Sequence, residues 1–277
     1  MQERKNILEQ ITRNNMNRIQ KIFQEKKDHI LSVFYTAGYP TLDSTKDIGL
    51  CLQNAGADII EIGIPFSDPI ADGPVIQESN KVALDNGMNL ATLLQQVKSL
   101  RAASDLPIVL MGYINPVMQY GVEEFCKDAA SAGVDGVILP DMPMHEYLTE
   151  YKSMFDKYDL YNIFLISPTT AEDRIRQIDE ATNGFIYAVS ASSTTGARKG
   201  FDSEQEEYFR RIKSLNLRNP FLIGFGISDH QTFNKACEYG AGAIVGSAFI
   251  TMLKSSTILG NDINEFVQKL RTTSSRG

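Results

Sequence analysis

The sequence predicts a single α/β domain, a (β/α)8 TIM barrel with an N-terminal helical extension. Past residue 28 one unit recurs: a short apolar run rich in β-branched residues, a loop, and about ten to twenty residues of helical pattern. Strand–helix alternation predicts a parallel sheet, and eight units in about 250 residues are typical of a closed barrel. An open doubly wound sheet with extra strands is the alternative. No linker or composition shift marks a second domain, so residues 16–277 form the predicted barrel domain.

The eight predicted strands are short and apolar. They span residues 30–37, 59–64, 107–113, 136–141, 162–167, 185–190, 220–226 and 243–248. Ala-Gly-Ala-Asp before the second run and Ala-Gly-Val-Asp before the fourth each predict a helix ended by glycine and a turn into a strand. Ala-Gly-Ala at 241–243 predicts the same arrangement before the eighth run.

The N-terminal segment is polar, with two apolar sets at helical spacing. The sets are Ile7, Leu8 and Ile11, followed by Ile19, Ile22 and Phe23. They predict one or two amphipathic helices, interrupted near Asn14 and Asn15. Met16 is a candidate alternative start, which would make residues 1–15 a dispensable extension. The segment has no continuous apolar region of the kind that a secretory signal needs.

Composition excludes several classes of protein. A net charge of −7, from 27 Lys+Arg against 34 Asp+Glu, argues against a general nucleic-acid binder. No window of about eighteen apolar residues predicts a membrane span. The cysteines are widely spaced and lack metal-binding spacing, which predicts three buried thiols in the reducing cytoplasm; they are Cys51, Cys126 and Cys237. The three histidines are isolated, so we expect no metal site.

An acidic residue, Glu61, interrupts the apolar second strand. Side chains alternate along a strand, so Glu61 shares one face with Ile59 and Gly63. A buried carboxylate is costly unless it is paired or does chemistry. An ion pair or a surface strand end would explain Glu61 alone. A second acid, Asp72, on a loop fixed by three prolines favours a catalytic pair.

Function in a barrel lies at the carboxyl ends of the strands and in the loops that follow. The ionisable residues there reduce to Glu61 and Asp141, with Asp72 in the second loop. No predicted strand contains a lysine, which argues against a Schiff-base aldolase. The scarcity of histidine argues against a zinc aldolase or hydrolase. Cofactor-free acid–base chemistry by carboxylates is the remaining prediction.

Glycines at the ends of the last two strands predict a phosphate site. Gly224 and Gly226 flank the end of the seventh strand, and Gly246 and Ser247 follow the eighth. Glycine lets the backbone approach a ligand, and barrels commonly hold phosphate in these loops. Ordinary turn chemistry is the alternative. The composition of the small, polar segment 190–196 is equally consistent with a mobile lid and with a solvated loop.

Four motifs together resemble the tryptophan synthase α subunit family. They occur in order at 34–40, 61–74, 224–228 and 245–247, and the resemblance runs from about residue 16 to 270. The motif at 61–74 is highly specific, whereas the glycine motifs also suit other phosphate-binding barrels. The resemblance implies cleavage of indole-3-glycerol phosphate to indole and glyceraldehyde 3-phosphate, late in tryptophan biosynthesis.

The resemblance also implies roles for single residues. Glu61 matches the catalytic glutamate, and Asp72 matches the aspartate that accepts a hydrogen bond from the indole N–H. Tyr187 would lie near Glu61 and the substrate glycerol. Phe34 and Phe225 would line the indole slot, unless they are plain barrel core.

Phosphate contacts are implied for Gly196, Gly226, Gly246 and Ser247. Thr195 matches a lid threonine that meets the catalytic aspartate on closure. Ala191 and Ser193 stand where the family commonly has an arginine and a glycine. Lid closure and its coupling to a partner are therefore left open.

The implied partner is a pyridoxal-phosphate β subunit in an α2β2 complex, with no cofactor in this chain. The family docks that subunit with loops that here carry Asp68, Pro69, Asn115 and Pro143, which would otherwise be solvated turns. Three other functions stay open: a standalone lyase releasing free indole, a non-catalytic regulatory barrel for a phosphorylated ligand, and another phosphate-binding barrel enzyme such as an isomerase or epimerase.

Overall fold

Nine short parallel strands form one sheet, ordered β5-β4-β3-β2-β1-β9-β8-β7-β6, in a computed structural model that describes residues 16–69, 72–190, 201–224 and 226–272. The strands are β1 Ile30–Thr36, β2 Ile59–Gly63, β3 Ile108–Met111, β4 Gly136–Ile138, β5 Tyr161–Asn162, β6 Leu165–Ile166, β7 Ile186–Val189, β8 Phe221–Gly224 and β9 Gly242–Val245. Every one overlaps a predicted run, so the predicted barrel is confirmed.

Helices cover the outside of the sheet and separate the strands. They are α1 Arg18–Glu25, α2 Ser44–Ala55, α3 Pro74–Asp85, α4 Leu90–Arg101, α5 Ile114–Tyr120, α6 Val122–Ala132, α7 Met144–Glu146, α8 Lys152–Lys157, α9 Glu172–Ala181, α10 Ser203–Ser214, α11 His230–Tyr239, α12 Ser247–Ser255 and α13 Leu259–Arg271. A π-helical turn, Tyr147–Tyr151, joins α7 to α8.

The barrel closes through the fifth predicted strand, which the structure divides into β5 and β6. β5 pairs with β4, and β6 pairs with β7. Between them, the Ile163 N–H donates to the Val137 carbonyl at 2.9 Å, and the Tyr187 N–H donates to the Phe164 carbonyl at 3.0 Å. One continuous run therefore touches both edges of the sheet. It forms two separate strands because its first half is hydrogen-bonded to β4 and its second half to β7.

The strands carry two apolar layers. Ile59 belongs to the inner cluster, with Ile30 and Val109, while Ile60 and Ile62 belong to the outer cluster packed against the helices. This alternation confirms the predicted faces of β2 and places Glu61 inside the barrel.

Helix α1 closes the amino end of the barrel, which confirms the second predicted amphipathic helix. Ile19 is completely buried in the inner cluster. Gly136 and Gly184 make room for it, since a Cβ on either would lie 2.7 Å from an Ile19 side-chain carbon. The Asn17 carboxamide accepts a hydrogen bond from the Ile19 N–H at 3.0 Å, which caps the helix. The first predicted apolar set lies outside the described residues.

The aspartates of the two Ala-Gly-x-Asp turns hold α1 in place. Asp135 is buried and binds Arg18 at 2.9 Å and Arg101 at 2.8 Å. Asp58 binds Lys26 at 2.6 Å. The sequence predicted the glycine caps of these turns, which adopt left-handed φ angles of +95° and +89° in α2 and α6. It did not predict the ion pairs.

The third predicted glycine turn is wrong. Helix α11 ends at Tyr239 with an extended Gly240 as its C-cap, and Gly242 lies inside β9. A Cβ at Gly242 would overlap the Ile30 backbone of the neighbouring strand. Close strand approach, rather than a helix cap, therefore requires this glycine.

The three cysteines are free. Cys126 is buried, as predicted, whereas Cys51 and Cys237 are only half-buried. In the described part of the chain, no helix has the length and apolar character needed to span a membrane.

Candidate active site

Glu61 projects from β2 into the barrel, flanked by Phe34 of β1 and Val109 of β3 in the strand register. Its side chain is fully buried. The Ser32 hydroxyl donates a hydrogen bond to Glu61 Oε1 at 2.6 Å. Glu61 Oε2 is also buried and has no hydrogen-bond partner among the described residues. One carboxyl oxygen is thus anchored, and the other is available for chemistry.

Burial changes the protonation of Glu61. It raises the pKa of the carboxyl from 4.5 to about 7, and the Ser32 hydrogen bond partly opposes this rise. A group with a pKa near neutrality can both donate and accept a proton at physiological pH. The site therefore suits a residue that acts as acid and as base.

Asp72 lies in the second loop, just before Gly73 and Pro74 begin α3. The Tyr113 hydroxyl, which follows β3, donates to Asp72 Oδ2 at 3.4 Å. Burial raises the pKa of Asp72, and the hydrogen bond from Tyr113 lowers it. The Tyr113 ring packs on Phe66, with ring centroids 5.1 Å apart. Sequence reasoning did not single out Tyr113, although it ends a predicted strand.

Tyr187 projects inward from β7 and is almost completely buried. Gly224, on the adjacent β8, makes room for it, because a Cβ there would overlap the Tyr187 hydroxyl. Burial raises the pKa of Tyr187 well above its ordinary value, and the negative charges of Glu61 and Asp72 add to this rise. The structure therefore brings Glu61, Asp72 and Tyr187 into one electrostatic environment.

Phe34 forms an apolar wall at the carboxyl end of β1. Its ring lies where two glycines leave space. A Cβ on Gly63 would be 2.7 Å from the ring, and one on Gly246 would be 3.4 Å from it. The Phe34 ring thus lies between the end of β2 and the start of α12.

Gly246, Ser247 and Gly226 follow the adjacent strands β8 and β9. Gly246 is the N-cap of α12 and makes no side-chain capping bond. Ser247 is exposed on the first turn, and Gly226 has a φ of +79° that favours glycine. The other expected phosphate, indole and lid positions lie outside the described residues: Ala191, Ser193, Thr195, Gly196 and Phe225.

The expected docking residues lie on the same end of the barrel. Asp68, Asn115 and Pro143 are exposed, and Pro69 is partly exposed. Asp141, the remaining acid at a strand end, accepts a hydrogen bond from the Ile114 N–H at 2.9 Å. Because this bond satisfies an amide in the first turn of α5, Asp141 has a structural role.

These features define an enzyme of the (β/α)8-barrel class whose interior offers carboxyl groups for acid–base chemistry. Within the described residues, no three His, Cys, Asp or Glu side chains could together hold a metal ion.

Comparison with known proteins identifies the family. A family model described as tryptophan synthase alpha chain matches residues 20–275. The chain is 50% identical over 256 residues to the tryptophan synthase alpha chain of Parabacteroides distasonis, covering 92% of this chain and 100% of that one. It is 52% identical to that of Flavobacterium johnsoniae, with the same coverage. The chain therefore belongs to the tryptophan synthase alpha chain family, whose members are lyases of tryptophan biosynthesis that cleave indole-3-glycerol phosphate.

Solved structures agree with this assignment. The crystal structure of tryptophan synthase subunit alpha from Legionella pneumophila str. Paris gives a TM-score of 0.83 at 32% identity, covering 92% of this chain and 97% of that chain. A Mycobacterium tuberculosis tryptophan synthase structure gives 0.84 at 30% identity, covering 93% and 98%.

Proposed function

We propose that Glu61 and Asp72 carry the acid–base steps by which this lyase cleaves indole-3-glycerol phosphate. The observation that carries the proposal is the Glu61 carboxyl, which is fully buried, bonded through one oxygen only, and has a pKa raised to about 7. A carboxyl in this state is unfavourable for folding and favourable for proton transfer.

The reaction needs three things from the protein. The indole carbon that bears the glycerol must be protonated, the neighbouring hydroxyl must lose its proton, and positive charge on the ring nitrogen must be stabilised. Glu61 would perform the two proton transfers in turn. Asp72 would accept a hydrogen bond from the ring N–H and stabilise the cationic intermediate, since preorganised charge is most effective in a site that excludes water.

The neighbouring residues would position the substrate. Tyr187, whose pKa is raised in part by the negative charges of both acids, would contact the glycerol. Phe34 would form one wall of the indole slot, and Phe225 another. An uncapped α12 start offers backbone N–H groups to the phosphate.

Phosphate binding would use the glycine-rich loops after β8 and β9 together with the segment after β7. The contacting positions we propose are Gly196, Gly226, Gly246 and Ser247. Thr195 would meet Asp72 when that segment closes over the substrate.

We propose a tryptophan synthase β subunit as the partner, in an α2β2 assembly. The proposed contact residues are Asp68, Pro69, Asn115 and Pro143. The exposed Met118, with 56% of its surface accessible, lies on α5 beside Asn115 and supports an interface there. Pyridoxal phosphate would belong to the β subunit, this chain would need no cofactor, and three free cysteines support a cytoplasmic location.

Indole release by the purified chain tests this proposal, measured with indole-3-glycerol phosphate in the presence and absence of a tryptophan synthase β subunit. We expect slow release from the chain alone and a sharp rise with the partner. Fast release that ignores the β subunit would overturn the partnership and indicate a standalone lyase. No release under either condition would overturn the proposed roles of Glu61 and Asp72.

A further inference from the structure

Ser32 is the only direct hydrogen-bond partner that the described residues provide to the Glu61 carboxyl. Its hydroxyl lies 2.6 Å from Glu61 Oε1, and both residues are completely buried. Ser32 projects inward from β1, two residues before Phe34, which is the register partner of Glu61. It therefore supports the carboxyl from the amino-end side, away from the loops that would admit substrate.

A hydroxyl at this position has no evident structural purpose. Ser32 pairs with Ile59 in the strand register and follows Ile30 on the inner face, so its surroundings are apolar. A buried hydroxyl is costly unless it is hydrogen-bonded. An alanine or valine would satisfy the barrel interior equally well, so the Glu61 carboxyl is the feature that explains a serine here.

The chemistry of the hydroxyl matches a carboxyl that changes its protonation state. A serine hydroxyl has one donor and two acceptor lone pairs. It can donate to Oε1 of the carboxylate, and it can also donate to Oε1 of the carboxylic acid, in which Oε1 is the carbonyl oxygen and Oε2 carries the proton. An arginine would add a positive charge that favours the carboxylate form, as Arg18 and Arg101 do at Asp135.

We propose that Ser32 is a positioning residue for the acid–base glutamate: its hydroxyl fixes Glu61 Oε1 in both protonation states and leaves Oε2 as the oxygen that exchanges the proton with the substrate. This inference rests on the proposed role of Glu61. Fixing one oxygen removes rotation of the carboxyl group, and such orientation contributes directly to the rate of a proton transfer.

Ser32 also affects the pH dependence of the site. Strands β1 and β3, which pair with β2, carry no charged residue. Among the described residues, the titratable side chains whose charges interact here are Glu61, Tyr187 of β7 and Asp72 of the second loop. Loss of the Ser32 donor destabilises the carboxylate form, so we expect the pKa of Glu61 to rise by about half to one unit above its wild-type value.

The experiment uses a matched pair of variants with the same shape. Ser32→Thr keeps the hydroxyl, whereas Ser32→Val replaces it by a methyl group. We expect Ser32→Val to lower kcat about tenfold with less than about a twofold change in KM, and Ser32→Thr to stay within about threefold of the wild type. Titration of the Glu61 carboxyl by infrared spectroscopy should show the upward pKa shift in Ser32→Val only.

Two controls keep the outcome interpretable. Ile59→Val removes a methyl group from the register partner of Ser32 without touching the hydrogen bond, and it should change neither kcat nor the Glu61 titration. Ser32→Ala repeats the test without added volume, and thermal unfolding confirms that each variant is folded. Equal kcat and equal Glu61 pKa in Ser32→Thr and Ser32→Val would overturn the inference.

Glu61→Gln, measured in the same series, separates this inference from the proposed function. An inactive Glu61→Gln with an unaffected Ser32→Val would remove the role of Ser32 alone. An active Glu61→Gln would remove the role of Glu61, and that of Ser32 with it. In the Glu61→Gln background we expect Ser32→Val to have no further effect on the residual rate, because the two residues act as one unit.

Discussion

Asp135 and Glu61 are buried acids near opposite ends of the same barrel, and their surroundings differ. Asp135 is bound by Arg18, Arg101 and the Ile108 N–H, at 2.9, 2.8 and 2.8 Å. Glu61 has a single serine hydroxyl, and its second oxygen has no partner among the described residues. Both carboxyls have their pKa raised by burial, but the arginines oppose the rise at Asp135.

This difference in hydrogen-bond partners indicates that Asp135 contributes to stability and that Glu61 is suited to chemistry. At the amino end of the barrel, Asp135 connects α1 to α4 and to the start of β3. Other groups of the protein bind both of its carboxylate oxygens. At the carboxyl end, the protein leaves part of a buried carboxyl unsatisfied, which is unfavourable for folding unless a ligand uses it. The same contrast explains why barrels keep function at one end and stability at the other.

Glu61→Gln should produce the largest effect on activity. The amide has the same shape, and its carbonyl can still accept the Ser32 hydrogen bond, so the fold is retained. It cannot exchange protons, so we expect indole release to fall by about 10²- to 10⁴-fold. Steady-state kinetics with indole-3-glycerol phosphate measure this loss, and circular dichroism checks the fold. Activity within about threefold of the wild type would contradict the catalytic role.

Asp135→Asn should lower the stability of the protein and leave its activity unchanged, the reverse of Glu61→Gln. The substitution leaves the largely buried Arg101 without its counter-charge, and breaking such a pair costs about 3 kcal/mol. We expect a lower free energy of unfolding in urea, with kcat per folded molecule unchanged. Loss of kcat without loss of stability would show that the two ends of the barrel are not functionally distinct.

Stability should depend on pH through Glu61. Its pKa rises from 4.5 to about 7 on folding, so the folded state binds the extra proton between these values. The resulting stabilisation is fully present below about pH 4.5 and is lost as the pH rises to about 7, a change of about 3 kcal/mol. Urea unfolding of wild type and Glu61→Gln at pH 5 and pH 8 measures it. The variant should gain stability relative to wild type at pH 8, and a difference independent of pH would refute the shift.

Asp72→Asn should have the smallest of these effects. Asparagine keeps a carbonyl that can accept from Tyr113 and from an indole N–H, but it lacks the charge that would stabilise a cationic ring. We expect kcat to fall about 10- to 100-fold. Tyr113→Phe serves as the control, because it removes the 3.4 Å hydrogen bond and keeps the charge. A larger loss in Tyr113→Phe than in Asp72→Asn would contradict the role of the charge.

The sequence predicted the barrel and the strand face that Glu61 shares with Ile59 and Gly63, because both depend on local patterns. Strand alternation assigns Glu61 to the face of Ile59, and the structure confirms it. The partner of Glu61 was not predictable in this way. Ser32 is 29 residues away in the chain, and the two parallel strands are joined by a long crossover, so the pattern of either strand alone does not show which residues lie beside each other.

In the two Ala-Gly-x-Asp turns, too, the local feature was predictable from the sequence and the long-range contact was not. The glycines were predictable, since a helix that ends in a left-handed residue favours glycine. The aspartates bind Arg18 of α1 and Lys26, which follows α1, and no local pattern connects these residues to them. A polar residue inside an apolar strand, such as Ser32, was the one available signal for the carboxyl environment.

Direct titration of the Glu61 carboxyl tests the account most closely. Infrared difference spectra of the wild type against Glu61→Gln, recorded across the pH range, isolate the one carboxyl that the two proteins do not share. We predict a midpoint near pH 7, as burial of the carboxyl requires. A midpoint near the ordinary value of 4.5 would contradict the claim that this buried glutamate is poised to exchange protons.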